Sequence, residues 1–332
     1  MSINLTSRYL GLTLKNPLVA AASTVGMKID NIRQLEDNGA AAVVLPSIFE
    51  EEIDFDIEEA ERLLFATGSE ASSYLPYGGE DGMGAEKYLD LIRQAREAVD
   101  IPVIASLNGI SRAGWTQYAS EVEQAGANAI ELNIYFLPTD CAPTGREVEE
   151  RYLDILRAVK ACTSIPVSMK LSPYFSSPGH FIKELDDAGA DGFVLFNRFY
   201  QPDIDLRETA MTRDLRLSNR AEIRLPLLWI GSLAGRIKGS IAASTGVATA
   251  DEVLKYLLVG ADVVMTASAL IRHGIGHMRS LLEGLQAGMT VRELDHLDQL
   301  RGQLSRRSVT DPTAFDRANY VKILKAVTPI DS

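Results

Sequence analysis

Two short phrases recur along this chain, and they take turns. The first is Gly-Ala ahead of an apolar run: Gly39-Ala40 before AAVVL, Gly126-Ala127 before NAIEL, Gly189-Ala190 before DGFVLF and Gly260-Ala261 before DVVMT. Each follows a segment of helical periodicity, so the glycine fits the left-handed position that ends a helix. The apolar run behind it fits a buried parallel strand. The second phrase is Ile-Pro-Val: Ile101-Pro102-Val103 before IAS, and Ile165-Pro166-Val167 before SMKL. A proline suits the first residue of a strand, where the ladder needs no donor.

Together the phrases predict strands near 41–45, 102–107, 129–133, 166–171, 192–196 and 263–266. NPLVAAAS (16–23) reads as a first strand and SIAAS (240–244) as the seventh. Helical stretches separate them, including 85–98, 115–125, 146–162, 179–188, 225–237 and 250–258. Alternating strand and helix means a parallel sheet, and eight such units mean a closed (β/α)₈ barrel, the TIM-barrel form of the α/β class. A doubly wound open sheet is the alternative, and persistence of the repeat to the last unit favours closure. A chain of 332 residues, 46% hydrophobic, can bury one core of this size. The expected division is a barrel over 1–303 and a C-terminal extension over 304–332, whose DRANYVKILKAVTPIDS reads as one amphipathic helix.

Three loops exceed what a barrel needs, and all follow strands, on the face where barrels keep their sites. Residues 46–84 carry an acidic run (Glu50, Glu51, Glu52, Asp54, Asp56, Glu58, Glu59, Glu61) and then YGGEDGMG. The run lacks the spacing and glycine of a calcium loop and reads as a solvated lid helix, so no metal is expected. The others are 134–145, which holds Cys141, and 197–224, rich in Arg and Asp. The net charge of −12 disfavours nucleic acid and anionic lipid as partners. The N-terminal residues lack the apolar core of a signal peptide, and no apolar run approaches the roughly 18–20 residues of a membrane span. Two cysteines, Cys141 and Cys162, make neither a disulfide framework nor a four-thiolate site, so the cytoplasm is the expected setting.

The chemistry lies at the strand ends. Asn133, Lys170 and Asn197 each follow an apolar strand and point into the mouth of the barrel. A lone buried ammonium is costly, so Lys170 needs an anion: a phosphate, a reduced flavin or a carboxylate. Small residues at Ser244-Thr245-Gly246 and at Ala267-Ser268 let backbone N–H groups approach an anion at the last two loops, the usual phosphate site of such barrels. With Lys170 and the two asparagines they imply a phosphorylated, planar, amide-bearing ligand. None of His180, His273, His277 and His296 is placed for catalysis, and surface or capping roles are expected. Cys162, at a helix end on the far face of the barrel, reads as core.

LTSRYLGLTLKNPLVAAAS (5–23), ELN (131–133), MKLSPYF (169–175) and GVATADEVLKYLLVGADVVMTASAL (246–270) resemble, in the same order, the class 1 dihydroorotate dehydrogenases. The resemblance spans roughly residues 3–303 and implies FMN in the barrel mouth, with dihydroorotate oxidised by hydride transfer to flavin N5. It implies that Ala21, Ala22 and Ser23 line the ring edge and that Ser47 and Asn108 add polar contacts. Asn133 would touch flavin and substrate, and Asn197 would hold the substrate's carboxylate or amide. Lys170 would sit near the N1/O2 side and stabilise charge that develops on reduction. Ser244, Thr245, Gly246, Ala267 and Ser268 would bind the FMN phosphate.

The chain also departs from the family pattern. Leu45-Pro46-Ser47 stands where a Thr-Lys-Ser is usual, so a lysine is absent. The loop after the fourth strand runs Asn133-Ile134-Tyr135-Phe136-Leu137-Pro138, without the Cys or Ser that serves as base. The Asn-rich substrate loop is not evident in 65–84. RLSNRAEIRLP replaces a Gly-rich turn, and Ser-Thr-Gly replaces the glycine pair at strand seven. Cys141 and Tyr135 are the candidate replacement bases, although a thiol needs a nearby cation and a phenol is the better acid.

These readings lead to an FMN-dependent oxidoreductase acting on a CH–CH bond of dihydroorotate or a related small cyclic amide. The alternative is a flavin-binding redox subunit or scaffold without that activity. A redox protein partner and a homo-oligomer are the expected assemblies.

Overall fold

The computed structural model describes residues 3–50, 52, 84–109, 113–212, 215–315 and 317–326. Eight parallel strands close into a barrel: β1 (Leu18–Ala20), β2 (Ala42–Phe49), β3 (Val103–Asn108), β4 (Ala129–Asn133), β5 (Val167–Leu171), β6 (Gly192–Leu195), β7 (Ser240–Ala243) and β8 (Val263–Thr266). Apart from the far end of β2, the strand positions agree with those the two recurring phrases predict. Among the helices are α1 (Ile29–Asp37), α2 (Ala85–Ala98), α3 (Ala113–Gln124), α4 (Gly145–Cys162), α5 (Pro178–Asp187), α6 (Arg224–Leu233), α7 (Ala250–Val259), α8 (Ser268–His273) and α9 (His277–Val291).

Strand periodicity divides the core in two. On β4, Ile130 and Leu132 face the helices while Ala129 belongs to the interior cluster with Val19, Val44, Ile104, Val194, Ala242 and Val263. An antiparallel hairpin, Ser7–Tyr9 with Leu12–Leu14, adds Tyr9, Leu10 and Leu14 to that interior. Gly192 permits this plug, because a Cβ there would stand 2.6 Å from Leu10 Cδ2. With the interior filled from one end by apolar groups, polar side chains gather at the other.

Several local expectations need correction. β2 runs past the apolar stretch to Phe49, through Pro46, because a register shift between Val44 and Ser47 absorbs the proline. Cys162 is exposed, not core: it is the last residue of α4, whose buried face is formed by Tyr152, Leu153, Ile155, Leu156 and Val159. His273 and His277, which the sequence puts on a single helix after the last strand, lie on two helices, separated at Gly274 (φ 82°). His296 caps the short helix Leu297–Leu300 and His180 is exposed on α5, in keeping with the roles expected of them. Of the acidic run, only Glu50 and Glu52 fall within the described residues.

The segment after Gly302 lies on the barrel. Leu304 N donates to Leu258 O (2.8 Å) and Arg306 N to Gly231 O (2.8 Å), so it crosses α7 and α6. The tail then forms a short 3₁₀ turn, Pro312–Phe315, and the helix Arg317–Ala326, which lies within the segment expected to be helical; residues 327–332 lie outside the described residues. No helix among the described residues is long and apolar enough to cross a membrane.

Candidate active site

The strand register builds a polar ladder inside the mouth. Ser106 pairs with Glu131 and Asn108 with Asn133 between β3 and β4; Glu131 pairs with Ser168 and Asn133 with Lys170 between β4 and β5. Since side chains alternate, Glu131 and Lys170 share the interior face as diagonal neighbours. Lys170 Nζ lies 3.2 Å from Glu131 Oε1, with the lysine side chain 12% and the glutamate 1% exposed. Ser106 Oγ donates to the same carboxylate oxygen (3.4 Å), and Ser47 Oγ lies 2.8 Å from Ser106 Oγ. Tyr88 OH accepts from Ser106 N (2.8 Å) and donates to Ser106 O (3.1 Å). Burial pushes that phenol above its ordinary range, so it stays a neutral hydroxyl.

Above the ladder opens a cavity of about 470 Å³ at the ends of β1, β5, β6, β7 and β8. Ala21, Ala22 and Ser23 form one side, Lys170 and Asn197 the floor, and Ser244, Thr245, Gly246, Ala267 and Ser268 the far side. Gly246 has φ 75°, and a Cβ would stand 2.6 Å from Ile223 Cγ2 and 2.8 Å from Asn219 O, so only glycine fits. Thr245, also left-handed at φ 80°, is tied down by its own hydroxyl, which donates to Phe196 O (3.0 Å), and by Tyr256 OH, which donates to Thr245 O (2.7 Å).

The segment that replaces the family's Gly-rich turn closes this side. Gly246 N donates to Ser218 Oγ (3.2 Å), and Ser218 Oγ donates to Ser268 Oγ (3.0 Å). Arg272 donates to Ser218 O (2.6 Å) and Leu217 O (2.8 Å), clamping the segment. Arg198 and Arg216 add positive charge to the wall, paired with Glu222 (2.6 Å) and Asp203 (2.8 Å) respectively.

The remaining expected site residues stand around this cavity without lining it. Asn133 Oδ1 accepts from Asn197 Nδ2 (2.6 Å), and Asn108 is its ladder neighbour. Ser47 lies behind Ser106. Tyr135 packs its ring on Phe199 (centroids 4.4 Å apart) and accepts from Tyr200 N (2.6 Å). Cys141 is exposed further along the same loop. Glu131, Ser106, Ser218 and Arg216 were not predicted as site residues. The alternation of β4 carries the signal for Glu131, two positions before Asn133, whereas nothing local marks Ser218. No cluster of metal ligands occurs among the described residues.

An eight-stranded barrel with a ligand-sized cavity at the strand ends, floored by a lysine and walled by small residues and hydroxyls, is the architecture of a barrel enzyme. The model of the family Dihydroorotate dehydrogenase matches residues 4–289, and the chain belongs to that family of oxidoreductases. It is similar to the dihydroorotate dehydrogenase B (NAD(+)) catalytic subunit of Thermoplasma volcanium, 24% identical over 92% of this chain and 99% of the relative. The protein of the same description from Pyrococcus abyssi is 27% identical over 83% and 90%. A putative dihydroorotate dehydrogenase A (fumarate) of Aeropyrum pernix is 25% identical over 89% and 96%.

Proposed function

We propose that this protein is an FMN-dependent oxidoreductase that oxidises dihydroorotate, or a related small cyclic amide, by hydride transfer to flavin N5. The observation that carries the reading is the convergence of Lys170, Asn197 and the turns at 244–246 and 267–268 on one cavity of about 470 Å³. That volume lies within the roughly 300–1,000 Å³ usual for cofactor and small-molecule sites.

The donor set fits the cofactor. Ala21 and Ala22 leave the backbone open to a flat ring. The hydroxyls of Ser218 and Ser268, with Gly246 N–H beside them, form a cradle suited to a phosphate. When bound, FMN would supply the hydride acceptor. Lys170 would stabilise negative charge developing at the ring. Asn133 and Asn197 would grip the substrate's carboxylate or amide and fix its orientation. Tyr135 and Cys141 are the candidates for moving the substrate proton. The Tyr135 hydroxyl already accepts from Tyr200 N and keeps its own proton, so as a phenol it serves as the acid of the reverse, reducing reaction, whereas the oxidation needs a group that accepts the proton.

A second reading is favoured by one observation: neither Tyr135 nor Cys141 lines the cavity. On that reading the protein is a flavin-binding redox subunit that passes electrons to a partner protein. We place either form in the cytoplasm, as a homo-oligomer. Anaerobic addition of dihydroorotate to the FMN-loaded protein separates the two. Bleaching of the visible flavin bands supports the dehydrogenase, and unchanged bands leave the redox subunit.

A further inference from the structure

We propose that Glu131 is a positioning residue for Lys170: it holds the ammonium in place and tempers its charge, so that the cavity offers the cofactor ring the positive end of an ion pair, not a bare cation. The inference rests on the flavin reading above and assigns a part to a residue which that reading leaves unused.

The pair is asymmetric. Glu131 is sealed at 1% exposure, while Lys170, at 12%, is the member that lines the cavity. Seen from the cavity the carboxylate therefore stands behind the ammonium. Among the described residues Glu131 is the one carboxylate within ion-pair distance of Lys170. Ser106 Oγ gives it a second donor, and Tyr88 locks the Ser106 backbone through both its N–H and its carbonyl. The carboxylate is thus fixed by β3 as well as by its own strand.

Stability gives little reason to keep such a pair, since a buried ion pair is often replaceable by apolar side chains at no loss. Its geometry does have a consequence for an adjoining ring that gains negative charge. Pro46-Ser47 stands in β2 where a lysine is usual, and Ser47 is linked through Ser106 to Glu131. The ladder from Ser47 to Lys170 consequently carries one anion and one cation. Removing the anion leaves a net positive charge under the ring. At the effective dielectric of such sites, one unit charge several ångströms away shifts a charge-forming equilibrium by roughly tenfold or more.

The test is the two-electron midpoint potential of the FMN-loaded protein, measured by dye equilibration at fixed pH, for wild type, Glu131→Gln and Glu131→Gln/Lys170→Gln. Glu131→Gln is expected to shift the equilibrium toward the reduced form at least tenfold, a rise of about 30 mV for a two-electron couple. The double variant removes the ammonium as well, and is expected to lie at least tenfold, about 30 mV, below the single variant. It buries no lone charge, so it is expected to fold even where the single variant does not. An unchanged or lowered potential in Glu131→Gln overturns the proposal. So does a double variant whose potential stays as high as that of Glu131→Gln. Wild-type protein that takes up no FMN defeats the flavin reading and this inference together. Measured potentials that fail the pattern defeat only the role of Glu131.

Discussion

Asn197 Nδ2 donates to Asn133 Oδ1 at 2.6 Å, joining the end of β4 to the residue just beyond β6 across the barrel mouth. Each amide keeps its other end free, so the pair can present a donor and an acceptor to one small molecule. Replacing either residue by Ala is expected to lower kcat/KM for dihydroorotate by roughly 10- to 150-fold. That is the loss of one hydrogen bond to a charged group, about 1.5–3 kcal/mol. Steady-state kinetics check it, and an unchanged kcat/KM removes the amide pair from the substrate site.

Gly246 tests the cofactor end of the cavity. Its positive φ and the 2.6 Å approach to Ile223 Cγ2 leave no room for a methyl group. Gly246→Ala is expected to displace the turn and weaken FMN binding by about tenfold or more, since a left-handed non-glycine residue with a clash costs at least ~1–3 kcal/mol. Flavin fluorescence titration reads this directly, and native affinity in the variant contradicts the placement of the phosphate.

Arg272 tests the clamp. Its guanidinium holds the carbonyls of Leu217 and Ser218. Arg272→Ala is expected to raise the rate of proteolytic cleavage near residues 215–219 and to weaken FMN binding by about tenfold, through loss of charge-assisted bonds that fix the wall. Unchanged cleavage shows that the segment is held without the arginine.

The helix beneath the phosphate cradle carries a pH dependence. Burial by itself would raise the Glu252 pKa, but the Thr249 N–H and hydroxyl, with Arg220, prevail and hold it below the usual carboxylate range. A depressed folded pKa adds stability that is present above the unfolded value and is lost as pH falls through the folded one. Glu252→Gln keeps the capping acceptor and loses the charge, and is therefore expected to lower stability at pH 7 by about 0.3–1 kcal/mol, the value of a carboxylate at a helix N-terminus. The gap to wild type should close as the pH is taken below about 4. Thermal melts at the two pH values measure it, and a gap that widens in acid contradicts the assignment.

The barrel was legible because its strands are announced by local phrases: the glycine that ends a helix and the proline that opens a strand are both short-range constraints. The cavity residues at 244–246 and 267–268 were legible for the same reason, as small residues directly after strands, whereas 21–23 came only through the family resemblance. Glu131 was not, because one charge inside an apolar run has no visible partner until the register sets Lys170 diagonally across from it. The extension of β2 was hidden by Pro46, which reads as a strand end unless a bulge is known to absorb it. Ser218 meets Ser268 only through the fold, fifty residues apart in sequence.

The account stands on one claim, that the barrel mouth is a flavin site. Titration of the flavin-stripped wild-type protein with FMN, followed by quenching of flavin fluorescence, tests it most directly. The expected result is saturable binding at one FMN per chain, weakened in Gly246→Ala. No saturable uptake of FMN would contradict the claim and leave only the barrel and its family.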